Sequence, residues 1–126
     1  MRLADLSADH RDGVVVARLE GEVDMSNADE LQKALVRNMT NEVFGLVLDL
    51  GDVKYFDSAG IHVLFELREQ LKNRGQQLRL VVPPGSPVGD TLRISGVAAV
   101  VELDEKLESA IDSIDRPGEN EAGSGT

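Results

Sequence analysis

Residues 45–62 read GLVLDLGDVKYFDSAGIH, and this stretch decides the fold. Residues 45–53 form a short apolar run with Val and Leu at both odd and even positions. That is the pattern of a strand buried on both faces, as in the middle of a covered sheet. Beyond it, Ile61, Leu64, Phe65, Arg68 and Leu71 fall at helical spacing, which predicts an amphipathic helix. Gly75, behind Asn73 and Arg74, is its stop. Between strand and helix lies FDSAG, which places an acid, a hydroxyl and two small residues at a corner.

Working outward from that unit, residues 3–7 (LADLS) alternate apolar and polar, and residues 13–21 (GVVVARLEG) are rich in β-formers. With the polar stretch ADHRD as a linker, they predict an antiparallel pair. In the following segment Ala28, Leu31, Leu35 and Met39 make one buried helical stripe. Ser26 or Asn27 can cap this helix; Asn27 has Glu30 three residues on, and Asp29 and Glu30 suit the positive end of the dipole. Residues 77–82 (QLRLVV) predict a strand ended by PPGSP. GDTLRISG predicts a short helix closed by Gly96, VAAVVEL a last strand, and LDEKLESAIDSI a packed helix through Leu103, Leu107, Ala110, Ile111 and Ile114. Strand and helix alternate after the opening pair, so the fold class is α/β with a largely parallel sheet. Residues 1–114 read as one domain, and 115–126 as a flexible polar C-terminal tail.

The totals exclude several functions. The chain has 126 residues, no cysteine and two histidines, His10 and His62. Disulfides, thiolate metal sites and cysteine nucleophiles are therefore absent, and the histidines lie too far apart in sequence to suggest a metal site. No metal and no cofactor is expected. With 23 acids against 13 bases the formal net charge is −10, which argues against a basic face for nucleic acid or anionic lipid. No apolar run approaches the ~20 residues needed to cross a bilayer, and the N-terminus lacks the long apolar stretch of a secretory signal. A cytoplasmic protein with no membrane partner is expected.

The corner carries the chemistry. Asp57 or Ser58 can cap the free N–H groups of the helix that starts there, and Gly60 permits a close approach. The same geometry presents the Ser58 hydroxyl to solvent, where a kinase can reach it. A phosphate there would add about −1.5 to −2 charge units, at a helix end whose dipole tolerates anions. Read that way the site is a switch on a docking surface, while the spacing alone favours the plainer reading of an ordinary Asp-Ser helix cap. Catalysis is poorly supported, because a hydrolase elbow would read G-x-S-x-G and no phosphate-binding loop occurs. Glu20, Glu22, Asp24, Asp49, Asp52 and Asp57 are numerous enough for an acidic pocket, but read as solvated strand ends. A response-regulator receiver with Asp49 as phosphoacceptor is a rival, but the acidic pair after the first strand and the late lysine are missing.

Four stretches in order give a resemblance that covers about residues 5 to 114: VVVARLEGEVDMSNADEL, GLVLDLGDVKYFDSAG, LRLVVPPGSPVGDTLRISGV and VVELDEKLESAI. Together they resemble the STAS family, and within it the bacterial anti-sigma factor antagonists. The resemblance implies a mixed β-sheet with helices packed mainly on one face. It also implies partner switching. The unmodified antagonist binds an anti-sigma factor, a histidine-kinase-like ATPase acting as a serine kinase, and frees the sigma factor. Phosphorylation of the D-S-A-G serine, Ser58 here, releases the partner, and a PP2C-type phosphatase reverses it. The implied docking face comprises Asp24, Ser26, Asn27, Asp57, Ser58, Ala59, Gly60 and His62. The protein would then be a regulator of transcription and not an enzyme. His62 departs from the pattern, because many relatives have a small residue at that place. STAS domains also serve as non-catalytic scaffolds and as regulatory parts of stress-signalling or transport complexes, which is the alternative reading.

Overall fold

The computed structural model describes residues 5–116. Ten elements follow in order: β1 (Asp5–Arg11), β2 (Val14–Val23), α1 (Ala28–Arg37), β3 (Gly45–Phe56), α2 (Ser58–Asn73), β4 (Gln77–Val81), α3 (Gly89–Ile94), α4 (Val97–Val100), β5 (Glu102–Asp104) and α5 (Leu107–Ser113). The strands form one sheet in the order β1-β2-β3-β4-β5. Only the β1–β2 pair is antiparallel; β2–β3, β3–β4 and β4–β5 are parallel. The architecture is α/β with a mixed sheet, and β3 is its central strand.

Alternation along β3 explains why its apolar residues occupy both parities. Leu46, Leu48 and Leu50 join Val15, Ala17 and Leu19 of β2 in the larger core, under Leu31 and Leu35 of α1 and Val63, Leu64, Leu67 and Leu71 of α2. Val47 points the other way, into a smaller cluster with Val14, Val81, Ala110, Ile111 and Ile114. Helices therefore crowd one face, and α5 alone packs its buried residues on the opposite one. The stop after α2 is a Schellman motif: Gly75 N–H donates to the Lys72 carbonyl and Gln76 N–H to that of Leu71. Gly75 has φ +72°, a conformation that favours glycine.

Five local expectations need correction, the first being the last helix, which spans only Leu107–Ser113 while Leu103 lies in β5 and packs against the larger core. The polar stretch ADHRD is not a linker, because β1 runs through it to Arg11 and pairs with Val14. The turn is only Asp12–Gly13, both at positive φ, as a two-residue hairpin loop requires. The central strand is longer than residues 45–53 and continues to Phe56. Within it the register with β2 slips, Arg18 facing Asp49 but Glu20 facing Asp52. This bulge moves Val53 onto the same core as Leu50. VAAVVEL is not one strand: Val97–Val100 is a helical turn, closed by Val101 N–H to the Val97 carbonyl, and β5 has only three residues. Lastly, the stretch assigned to the tail begins with two anchored residues. Asp115 N–H donates to Gln77 Oε1 at 2.8 Å, and Arg116 donates to the carbonyls of Asp12 and Ile114. The remainder of that stretch, 117–126, lies outside the described residues. Among the described residues no helix is long and apolar enough to cross a membrane.

Candidate functional site

Parallel strands β2 and β3 end side by side, and their following loops meet. Asp57 N–H donates to the Val23 carbonyl at 3.1 Å, tying the corner after β3 to the end of β2. The loops that leave C-terminal strand ends of a parallel sheet are where α/β proteins place their sites.

Asp57 is the N-cap of α2. Its Oδ1 accepts from Ala59 N–H at 2.8 Å and Gly60 N–H at 3.1 Å, satisfying two of the helix's unpaired donors. Its Oδ2 accepts from Met25 N–H at 3.1 Å, across 32 positions of chain. One carboxylate thus caps α2 and holds the β2–α1 loop. Ser58, the first helical residue, is exposed. Its hydroxyl has no hydrogen-bond partner among the described residues and is not used as a cap. Gly60 is a packing requirement: a Cβ there would stand 3.0 Å from both the Phe56 ring and Val23 Cγ1. Those two side chains are buried, so the first turn of α2 presses directly on the ends of β2 and β3.

The β2–α1 loop is ordered by its own polar groups. Asp24 Oδ1 accepts from Ser26 Oγ at 2.6 Å and from Ser26 N–H at 2.9 Å. These bonds, the hydroxyl's first, hold the Asp24 carboxyl below the usual carboxylate range. The expected capping of α1 is not what Asn27 does. Asn27 occupies the cap position without a side-chain cap bond; it is buried, its Oδ1 accepts from Asp24 N–H and its Nδ2 donates to the Glu22 carbonyl. Its amide closes the loop onto the end of β2 instead of reaching forward to the helix.

Asp24, Ser26, Asn27, Asp57, Ser58, Ala59 and Gly60 are therefore brought together. His62 lies one turn into α2, exposed, and pairs with Glu66, which also accepts from Gln32 of α1. It belongs to the solvent face shared by α1 and α2. Of the six acids considered for a pocket, Glu20, Glu22, Asp24 and Asp52 line an open cleft of about 680 Å³ together with Asp5 and Lys54. Asp49 and Asp57 have other duties. Asp49 is buried, accepts from Gly51 N–H at 2.9 Å and pairs with Arg18, so it anchors the β3 bulge. Among the described residues no group of three or more His, Asp or Glu could hold a metal ion.

Met25 was missed by sequence reasoning. It is 82% exposed at the turn between Asp24 and Ser26. The available signal was a single large apolar side chain inside an otherwise polar loop, DMSN.

The model of the STAS domain matches residues 5–110. This chain belongs to the STAS domain family. It is 30% identical over 106 residues, 83% of this chain and 90% of the other, to a Bordetella bronchiseptica protein provisionally named as the anti-sigma factor antagonist BtrV. Among solved structures, an anti-sigma factor antagonist from Mycobacterium paratuberculosis superposes with a TM-score of 0.78 at 23% identity, over 88% of this chain and 93% of that one. The Bacillus cell fate determinant SpoIIAA in its phosphorylated form superposes with a TM-score of 0.65 at 18% identity, over 88% and 100%. These last two likenesses are likenesses of fold, a mixed five-stranded sheet covered by helices.

Proposed function

We propose that this chain is an anti-sigma factor antagonist switched by phosphorylation at Ser58. Unmodified, it binds an anti-sigma factor serine kinase of the histidine-kinase-like ATPase type and thereby frees a sigma factor. It acts by binding in the cytoplasm and catalyses nothing itself. The kinase transfers the γ-phosphoryl group of ATP to Ser58 Oγ, with ADP leaving and the hydroxyl proton passing to the kinase's base. A PP2C-type phosphatase returns the hydroxyl.

The observation that carries this reading is the division of labour at the corner. Asp57 satisfies the first N–H groups of α2, which leaves the exposed Ser58 hydroxyl without a structural task. A phosphoryl group can be added there with the cap intact. It would bring about −1.5 to −2 charges beside the Asp57 carboxylate, with Asp24 on the adjoining loop. A docked surface would meet both bulk and repulsion. Like charges forced together at an interface cost several kcal/mol, and each ~1.4 kcal/mol is tenfold in affinity, so release by about a hundredfold or more is in reach. The likeness in sequence to a protein named as an anti-sigma factor antagonist supports the same reading.

The test is a pulldown with wild-type and Ser58→Ala bait, ATP treatment of the captured complex, and phosphopeptide mapping. The expected result is a histidine-kinase-like ATPase on both baits, phosphate on Ser58, and dissociation of the wild-type complex alone. Capture of a transport subunit or large scaffold with Ser58 unmodified would discard the reading.

A further inference from the structure

We infer that Met25 is an oxidation-sensitive anchor of the docking face, whose conversion to the sulfoxide releases the partner independently of Ser58. The inference rests on the docking reading of the preceding subsection and adds a second modification site to it. The chain contains three methionines and no cysteine, so its oxidisable sulfur is thioether alone. Of the two methionines within the described residues, Met39 is 6% exposed in the core and Met25 is 82% exposed. Solvent oxidant reaches one and not the other.

Met25 is also held in place. Its own amide is bonded to Asp57 Oδ2, the carboxylate that caps α2 immediately before Ser58. On either side the turn is closed by Ser26 to Asp24 and by Asp24 N–H to Asn27 Oδ1. Asn27 N–H and Ala28 N–H both return to the Asp24 carbonyl. An apolar side chain is thus presented on a preorganised turn, which lowers the ordering cost of docking it. Methionine is adaptable and polarisable, suited to an apolar recess on a partner.

Oxidation balances with a peroxide alone. The thioether sulfur attacks hydrogen peroxide, the O–O bond breaks, one oxygen becomes the sulfoxide and water leaves. Sulfur is oxidised by two electrons and peroxide is reduced. The product is polar and chiral, and its oxygen must be desolvated without a donor if it enters an apolar recess. Reductases of the two sulfoxide epimers restore the thioether.

The experiment treats the full chain with graded hydrogen peroxide and follows Met25 and Met39 by peptide mass spectrometry. Affinity for the captured ATPase is then measured by calorimetry for untreated chain, oxidised chain, chain re-reduced by methionine sulfoxide reductases A and B, and Met25→Leu with and without peroxide. We expect Met25 to oxidise at least tenfold faster than Met39. Oxidised chain should bind at least tenfold more weakly and recover on reduction, whereas peroxide should leave the affinity of Met25→Leu where it was. Equal binding by the oxidised chain overturns the inference, as does an equal peroxide effect on Met25→Leu. If untreated wild-type chain fails to bind the ATPase, the docking reading itself falls and the inference falls with it. Intact binding by untreated chain, followed by insensitivity to peroxide, removes only the inference.

Discussion

The Asp57 carboxylate accepts from the Met25 amide on one oxygen and from the Ala59 and Gly60 amides on the other. Two loops separated in sequence are therefore joined through one side chain. Removing it should unfasten both. An N-cap aspartate replaced by alanine costs typically ~1 kcal/mol, and the Met25 amide loses its acceptor as well. We predict that Asp57→Ala lowers stability by about 2 kcal/mol in urea denaturation. Asp57→Asn, which keeps an acceptor oxygen, should lose less than half of that. Equal stability of wild type and Asp57→Ala would show that the carboxylate caps nothing.

Ser58 makes the complementary case. Because Asp57 is the cap, the Ser58 hydroxyl can be removed without leaving a helix donor unpaired. We predict that Ser58→Ala unfolds within about 0.5 kcal/mol of wild type, the range of an ordinary exposed substitution. A loss near 2 kcal/mol in the same denaturation would mean that the hydroxyl is structural, and the division of labour between the two residues would not hold.

How much of this was legible in the sequence depends on what each residue faces. The stripe on α2 could be read in part: Val63 and Leu67, outside the expected set, are buried as well and Arg68 is not, but Leu64 and Leu71 are buried at helical spacing and Ile61 and Phe65 pack against the core. The Ala28, Leu31, Leu35 and Met39 stripe could be read for the same reason. β1 hid its length because it is an edge strand with no buried residue, so Ala8 to Arg11 carry no apolar alternation. Residues 97–101 are apolar throughout, and such a run does not distinguish helix from strand by periodicity; Gly96, at φ +90°, starts the helical turn. At the site, the residue types and their order were visible. What was not visible is which partner each polar group takes. Asn27 has the composition of a helix cap, yet the carbonyl of Glu22 and the amide of Asp24 are the groups that need it. The Asp57–Met25 bond is tertiary, and no local pattern encodes it.

Gly60 tests the packing of the corner. Within a helix, alanine is ordinarily preferred over glycine by about 1 kcal/mol, so Gly60→Ala would stabilise α2 if the site were open. Here the added methyl meets Phe56 and Val23 at 3.0 Å, and both are packed into the core with little room to give. Overpacking of this kind costs about 1–3 kcal/mol. We predict a net loss of about 1 kcal/mol or more by thermal or urea denaturation, accompanied by shifted amide resonances for Val23, Phe56 and Ser58. A stabilised Gly60→Ala chain would show that the first turn of α2 can lift off the strand ends.

Asp24 gives the pH dependence of the loop. Its carboxyl is held below the ordinary range first by the Ser26 hydroxyl and then by the Ser26 amide. A carboxylate depressed on folding binds its proton more weakly in the folded chain than in the unfolded one. Its contribution is therefore fully present above the unfolded titration value and is lost as pH falls through the folded one. Around neutral pH it is constant, and only acid uncovers it. Ser26→Ala removes the hydroxyl donor and leaves the backbone amide, so the Asp24 midpoint should rise toward, without necessarily reaching, the ordinary value. Carboxyl carbon NMR across an acid titration reads this directly. In wild type the Asp24 signal should move at lower pH than in Ser26→Ala, and in the variant the loop amides of Met25 and Asn27 should begin to shift at correspondingly higher pH. Coincident midpoints in the two chains would mean that the 2.6 Å bond from Ser26 Oγ to Asp24 does not persist in solution, and that the turn presenting Met25 is held without it, by contacts such as those of Asn27 and Asp57.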